Sequence, residues 1–587
     1  MATINEIILG SLGLIGYWAL DDGAGAATAS DQSANNNDAN TIGSNIKPGV
    51  DGPAWEAGKA FGASRLNNYD TTNTTVTAPW IAAYSVDHTF SVEFCVRYQH
   101  AMYTAAGTQQ LVGGSGAHTW WQFDTVLVSG VRYPSLQVRG VGEVVRGTSG
   151  IADCSKWHHV VFTMNGSSAT TKIYLDGVDV TGTITDQAIS TLPTAWQLMN
   201  TAYNPYACAH VAFYNRALSP AEVTSRWNAL EDLRRQRVRR IRYGIHQDAM
   251  YASTSGYWTS DMITLADLNT DMIRFSLLWD ITEPTQGTYD WTRTDALVDL
   301  CNQYRIMPLF IVVRSPQWAN GDANQWTIPG TGVDATFQAW VANYQTWLTD
   351  FVNRYKPGGS GTNLWCGGSD FWMEMWNEPN LVGFWAPAYN TDQYAYWYNS
   401  CRSAILAAYP KAKVIFGGLS GWSASGSIAG RNFFQQVVGS TQWQSAGIDY
   451  MGVHCYPNSN DPTNTAQFQN HSHDLCDVRD LLFEKGFTTT QVCMTEASVQ
   501  NTTSDADQAS KTQELLQRIH DNWTPFLAMD IRFILYNASF LPDSILNSIP
   551  TDGTLGTDRR AVATTIEDFM LGLPIAAWTP RSTVISG

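Results

Sequence analysis

Long apolar runs are missing from this chain: none of its 587 residues belongs to a stretch of the roughly 20 apolar residues that a helix needs to cross a bilayer. Positive charge is scarce too. Lys and Arg number 35 against 52 Asp and Glu, and the resulting net charge of −17 repels a phosphate backbone. The partners expected from these two absences include no membrane and no nucleic acid, and the substrates expected are neutral or weakly charged. No C-x-x-C pair occurs among the nine Cys (95, 154, 208, 301, 366, 401, 455, 476 and 493). An odd, scattered set argues against a disulfide-stapled module, and most of these thiols read as small buried apolar residues. H-E-x-x-H, P-loop and G-x-S-x-G motifs are absent as well. The apolar N-terminal stretch has no Lys or Arg ahead of it and carries Glu6, so it reads as an edge strand rather than a signal peptide. The expected location is extracellular or on a virion, reached without a recognisable signal, with the cytoplasm as the alternative.

What the chain does have is length and aromatics. It is too long for one core, so two or more domains are expected. The 24 Trp and 25 Tyr are assigned mainly to cores, with a handful left as platforms for the flat C–H faces of sugar rings. Residues 1–228 are rich in Thr, Ser, Asn, Gly and Val and carry short alternating runs. In "HTFSVEFCVRY" (88–98), Phe90, Val92, Phe94 and Val96 share one face. "WHHVVFTMNGSSATTKIYLDG" (157–177) reads as two strands joined by an Asn-Gly turn, and Ser219-Pro220 opens a helix. Many short strands punctuated by turns indicate a β-sandwich or jelly roll.

This segment resembles the laminin-G-like, concanavalin-type jelly-roll domains. The residues that carry the resemblance are "GLIGYWALDDGAG" with "DQSANNNDA", then "FSVEFCVRY", "KWHHVVFTMNG…KIYLDGV" and "VAFYNRALSPAEV". The resemblance implies a domain that binds sugar, binds protein or pads an enzyme. It also allows calcium in the N-terminal domain, with Asp21, Asp22 and Asp31 as the ligands to consider. No cofactor is otherwise expected. The basic run "LEDLRRQRVRRIRYG" follows, and residues 229–242 read as a solvated linker helix.

From residue 243 to 587 the texture is strand–helix alternation. Near-continuous apolar strands are expected at 243–247, 271–279, 307–313, 371–376, 413–418, 450–456, 491–496 and 531–536, the pattern of parallel strands covered on both faces. Helix-period segments separate them, with a last one at 558–573. Eight such units predict a (β/α)8 TIM barrel. A doubly wound sheet, the alternative, lacks the G-x-G-x-x-G turn expected after its first strand.

A barrel of this kind keeps its chemistry at the C-terminal strand ends. Reading those ends gathers Arg274 and Trp279 (second strand), Arg314 and Trp318 (third), Asn377 and Glu378 (fourth), His454 and Tyr456 (sixth), Glu496 (seventh), and Tyr536 and Asn537 (eighth). Pro379 has no N–H for the ladder and stops the fourth strand. Two carboxylates across one mouth suit glycoside hydrolysis, and a separation near 5 Å implies retention of configuration. Glu374 reads as an inward structural carboxylate, in phase with Glu378, and "HSHD" (471–474) as a polar cap rather than metal ligands.

"FWMEMWNEPN" together with "QVCMTEAS" resembles clan A of the glycoside hydrolases. Within that clan, "WNEPNLVGFW" followed by a Tyr-rich helix is most similar to family 39, with family 5 next. The resemblance implies Glu378 as acid/base and Glu496 as nucleophile. It further implies Asn377 on the 2-hydroxyl, Arg274 beneath the nucleophile, Tyr456 orienting it, and His454 touching substrate or the acid/base. Trp318 and Tyr536 complete the substrate-binding set; Tyr536, with Phe540 nearby, stands where many relatives carry a Trp platform. The function expected is a retaining β-glycosidase acting on a β-linked oligo- or polysaccharide. The rival is a non-catalytic carbohydrate-binding or phage virion structural protein that keeps the barrel as a scaffold.

Overall fold

The computed structural model describes residues 2–532 apart from a set of segments, the longest being 64–74, 80–88, 99–107, 247–257, 362–369, 422–428, 456–474 and 498–504. The chain divides into two compact units, Met1–Val238 with Leu475–Thr488, and Arg239–Asp474 with Thr489–Gly587.

The first unit is a sandwich of two antiparallel sheets, of eight and seven strands among the described residues. Strand Thr89–Tyr98 lies inside the larger sheet, between His158–Asn165 and Tyr206–Tyr214. Its Phe90, Val92, Phe94 and Val96 face the inter-sheet core with Trp120, Trp121, Phe123 and Trp196. The opposite face is buried as well. Cys95 joins a second cluster there with Ile4 and Ile8 of helix Ile4–Leu9 and Val223 and Leu230 of helix Pro220–Arg237. That cover explains the buried Glu93, which meets His159 Nε2 at 3.0 Å and Arg226 Nε at 3.1 Å and accepts from Tyr214 Oη. Arg97 is likewise buried and donates to Asp480 at 2.7 Å.

Two local expectations change. Residues 4–9 form a helix, not an edge strand, because Thr3 and Glu6 close a capping box: Glu6 N–H donates to Thr3 Oγ1 at 3.2 Å and Thr3 N–H to Glu6 Oε2 at 2.7 Å. The strand follows only at Leu14–Trp18. Strands His158–Asn165 and Lys172–Leu175 are joined by six residues with a 3-10 turn at Ser168–Thr170, not by a two-residue hairpin. Thr170 Oγ1 accepts from Asn165 N–H at 2.8 Å and stabilises the longer loop. The helix opened by Pro220 does carry its Ser219 cap, with Glu222 N–H donating to Ser219 Oγ at 3.3 Å.

In the second unit eight parallel strands close a barrel. They are β1 (Arg242–His246), β2 (Met272–Leu278), β3 (Met307–Val313), β4 (Trp372–Asn377), β5 (Lys413–Leu419), β6 (Tyr450–Cys455), β7 (Gln491–Ala497) and β8 (Leu527–Arg532). β8 pairs back onto β1, so no sheet edge is left open. β8 begins four residues ahead of its expected start, inside the same apolar run, and the helix expected at 558–573 lies outside the described residues.

Between β3 and β5 the barrel is wrapped by helices Ala335–Tyr355 and Thr391–Ala408, whose apolar faces carry Trp340, Tyr344, Trp347, Tyr394 and Trp397. These rings pack around Trp376 of β4, with centroids 6.5 Å away at Trp340, 6.2 Å at Tyr344 and 5.5 Å at Trp397. All are fully buried, so these aromatics hold the end of β4 rigid rather than stacking on sugar.

Candidate active site

The end of β4 is bent by its own backbone. Trp376 has φ 74° and Glu378 φ 45°, left-handed values that ordinary residues adopt only at a cost. Packing restrains the bend: Trp376 Nε1 donates to the Phe384 carbonyl at 2.6 Å, and Glu378 N–H to the Gly418 carbonyl at 3.0 Å. Beyond Pro379, Asn380 clamps the loop to the end of β5, giving Nδ2–H to Ser420 O at 2.9 Å and accepting Ser420 N–H at 3.1 Å. The chain thus leaves β4 with Glu378 turned to the mouth, where it keeps 9% exposure.

Arg274 of β2 is the hub and is fully buried. Its Nε donates to Glu374 Oε2 at 2.7 Å, its Nη1 to Glu496 Oε1 at 2.6 Å and its Nη2 to Asn377 Oδ1 at 3.1 Å. Nη1 also lies 3.1 Å from His246 Nδ1 on β1, and His246 Nε2 lies 4.0 Å from Glu496 Oε1. His454 of β6 stands between the carboxylates. Its Nδ1 is 2.8 Å from Glu378 Oε1 and 3.5 Å from Glu496 Oε2, while Nε2 faces Glu374 Oε1 at 3.9 Å. Thr495 Oγ1 donates to Glu374 Oε1 at 2.7 Å.

Charge follows from this geometry. Burial pulls against a protonated His454, but Glu496, Glu374 and Glu378 outweigh it, and the ring is pushed up to about 9. Nε2 also lies 3.4 Å from Arg274 Nη2. Burial also opposes ionisation of Glu374, yet Arg274 and His454 hold it below the usual carboxylate range. Oxygens of Glu378 and Glu496 and a nitrogen of His454 lie within 4.8 Å of one another. Divalent metals use such donors; here Nδ1 is a proton-bearing donor to Glu378, and Glu496 already meets a guanidinium.

Five residues expected at the site, Arg274, Asn377, Glu378, His454 and Glu496, are brought together. Trp318 is half-buried beyond β3, donating Nε1–H to the Glu283 carbonyl at 2.9 Å and packing edge-on to Trp279 at 5.5 Å. Arg314 pairs with Asp280 at 2.6 Å. Tyr456, Tyr536 and the "HSHD" stretch fall outside the described residues. His246 was missed; its signal was its place as the last residue of β1, aligned with Arg274 on β2.

In the first unit the calcium candidates serve as turn acceptors. Asp31 Oδ1 accepts from the N–H groups of Tyr17 and Ser33, both at 2.9 Å, and Oδ2 from Asn37 N–H at 2.8 Å and Asn37 Nδ2 at 3.3 Å. These four N–H donors hold the Asp31 carboxylate in the turn. Asp22 accepts from Ser30 N–H at 3.0 Å and Asp21 from Gln32 Nε2 at 2.9 Å.

Comparison with known proteins agrees with this architecture. Residues 70–224 match the family model of the concanavalin A-like lectin/glucanases superfamily, and residues 260–515 that of glycosyl hydrolases family 39. No curated protein sequence matches the chain. Among solved structures, a family 39 glycoside hydrolase from Bacteroides cellulosilyticus WH2 is 12% identical, with 82% of this chain and 77% of that one covered at a TM-score of 0.41. A monomeric beta-xylosidase from Caulobacter crescentus CB15 is 17% identical over 56% of this chain and 67% of that one, at 0.41. A glucosidase from Croceicoccus marinus is 17% identical over 53% of this chain, at 0.40, and the chain spans 63% of its length. The assignment rests on the two family models: the chain carries a domain that matches glycosyl hydrolases family 39, following one that matches the concanavalin A-like superfamily.

Proposed function

We propose that the protein is a retaining glycosidase that cleaves β-linked oligo- or polysaccharides by double displacement, with Glu496 as nucleophile and Glu378 as acid/base. The observation that carries this reading is that an oxygen of Glu378 and an oxygen of Glu496 lie within 4.8 Å of each other. Retaining enzymes place theirs about 5 Å apart, whereas inverting enzymes need about 6.5 Å or more to admit a water.

The roles follow from the partners. Glu496 meets the Arg274 guanidinium at 2.6 Å, which favours the ionised carboxylate that attack requires. Glu378 Oε1 lies 2.8 Å from His454 Nδ1, a contact that orients the carboxyl at the mouth where the leaving oxygen must be met. In the first step Glu496 bonds to the anomeric carbon, the bond to the leaving oxygen breaks, and Glu378 protonates that oxygen. In the second, Glu378 takes a proton from water, the resulting hydroxide attacks the anomeric carbon, and Glu496 leaves. Two inversions restore the starting configuration. Asn377 spends its Oδ1 on Arg274, leaving its NH2 as donor to the 2-hydroxyl.

Glu496→Ala should abolish hydrolysis of an aryl β-glycoside, and azide should restore turnover as the α-glycosyl azide. Undiminished hydrolysis by this variant would sink the assignment.

A further inference from the structure

We propose that Glu374 is the positioning residue of this site: one buried carboxylate that fixes Arg274 beneath Glu496 and His454 beneath Glu378. The inference rests on the glycosidase reading for its effect on turnover, but its geometry stands alone. Glu374 is fully buried inside the barrel, where a carboxylate survives only if its oxygens are satisfied. Its partners come from three other strands: Arg274 on β2, His454 on β6 and Thr495 on β7.

The guanidinium is planar and its donors are fixed relative to one another. Once Nε is committed to Glu374 Oε2, the plane of the fork is set, and Nη1 and Nη2 are aimed at Glu496 and Asn377. Glu374 therefore orients one proposed reacting group through Arg274 without touching substrate. Through His454 it acts on the other. Nε2 of the ring faces Glu374, so the opposite nitrogen points to Glu378 and Glu496.

Gly418 on β5 provides independent support. A Cβ there would sit 2.1 Å from His454 Nε2 and 2.5 Å from Glu374 Oε1, so the close approach of these two groups requires glycine at that position. Among the described residues, the charged groups shown facing His454 are Glu374 and Glu378 from β4 and its end, Glu496 from β7 and Arg274 from β2. His246 on β1 reaches the cluster through Arg274, and β5 contributes Gly418. Removing the Glu374 charge leaves the His454 proton with two carboxylates instead of three.

Glu374→Gln in the full chain is the test, read in two ways. The His454 ring, followed by NMR of the protein labelled with 15N-histidine, should titrate at about 9 in the parent. In the variant its midpoint should fall by about one pH unit or more. The kcat for an aryl β-glycoside should fall about 100-fold with KM little changed, the scale on which misplacing reacting groups acts. Thr495→Val, which removes a hydrogen bond of Glu374 but not its charge, should leave the midpoint nearly in place. Gly418→Ala keeps every charge, wedges Glu374 from His454, and should lower kcat; it also serves if Glu374→Gln fails to fold. An unchanged midpoint and kcat, with only a lower melting temperature, would reduce Glu374 to a structural carboxylate and overturn the proposal. The titration does not depend on hydrolysis, so a shifted midpoint in a protein whose Glu496 fails as nucleophile would retire the glycosidase mechanism and keep the network.

Discussion

Each unit of the molecule buries a glutamate against an arginine and a histidine, and the difference between the two clusters separates structure from chemistry. In the first unit Glu93 faces Arg226, His159 and Tyr214, and among the described residues no second carboxylate bonds to these three side chains. In the barrel Arg274 and His454 face Glu374, Glu378 and Glu496, three carboxylates for two cations. The lone glutamate is consumed by its partners and ties helix Pro220–Arg237 to the sheet. The surplus carboxylates stand at the mouth, at 9% exposure for Glu378 and 12% for the Glu496 side chain. Buried charge alone therefore does not mark a site; carboxylate in excess of its counter-ions, on the side open to solvent, does.

Substitution breaks the comparison most sharply at Arg274. Arg274→Lys keeps the charge and loses the three-way fork, so kcat should fall about 10³-fold while the fold survives; steady-state kinetics and circular dichroism read the two halves. Glu93→Gln is the mirror experiment. It leaves Arg226 without its counter-charge and should cost about 3 kcal/mol of stability, the usual scale for removing one partner of a buried pair. Denaturant unfolding reads that loss, and kcat of the folded enzyme should be unchanged. A fall in kcat would dissolve the distinction between the clusters.

The smallest effect is that of pH. His454 is raised above its unfolded value of about 6.5, so its contribution to stability is complete below that pH and is lost as pH rises through about 9. Glu93 and Glu374 are both lowered, since their partners outweigh burial, so their contributions are present above the ordinary carboxylate range and lost in acid. Melting temperature against pH should therefore fall on both sides, and His454→Asn should flatten the alkaline side, with a smaller change in acid because His454 also helps hold Glu374 low. The slope there is at most about 1.4 kcal/mol per pH unit for one proton.

Much of this was legible in the sequence for physical reasons. Parallel strands buried on both faces read as continuous apolar runs, so seven of the eight barrel strands were located within a residue or so of their ends, and the residues at those ends followed. β8 begins earlier than expected because its apolar run begins before its most conspicuous part, "IRFILY", of which residues 533–536 lie outside the described residues. What stayed hidden depends on residues meeting across the barrel. Glu374 reads as structural in isolation, because Arg274, His454 and Thr495 lie 100, 80 and 121 residues away. Nothing in "VIFGG" shows that Gly418 is where two charged groups must approach. The left-handed turn at Trp376 and Glu378 is equally silent, since Pro379 announces only that the strand stops. At the N-terminus, the Thr3–Glu6 capping box was the signal for a helix, and the apolar run overshadowed it.

The most direct test of the central claim is covalent trapping. A 2-deoxy-2-fluoro β-glycoside with a good leaving group slows the second step more than the first, so the enzyme should accumulate a one-to-one adduct. Peptide mapping by mass spectrometry should place the sugar on Glu496, and Glu378 should remain unmodified. A label on Glu378 or any other residue would contradict the assignment of roles in this barrel.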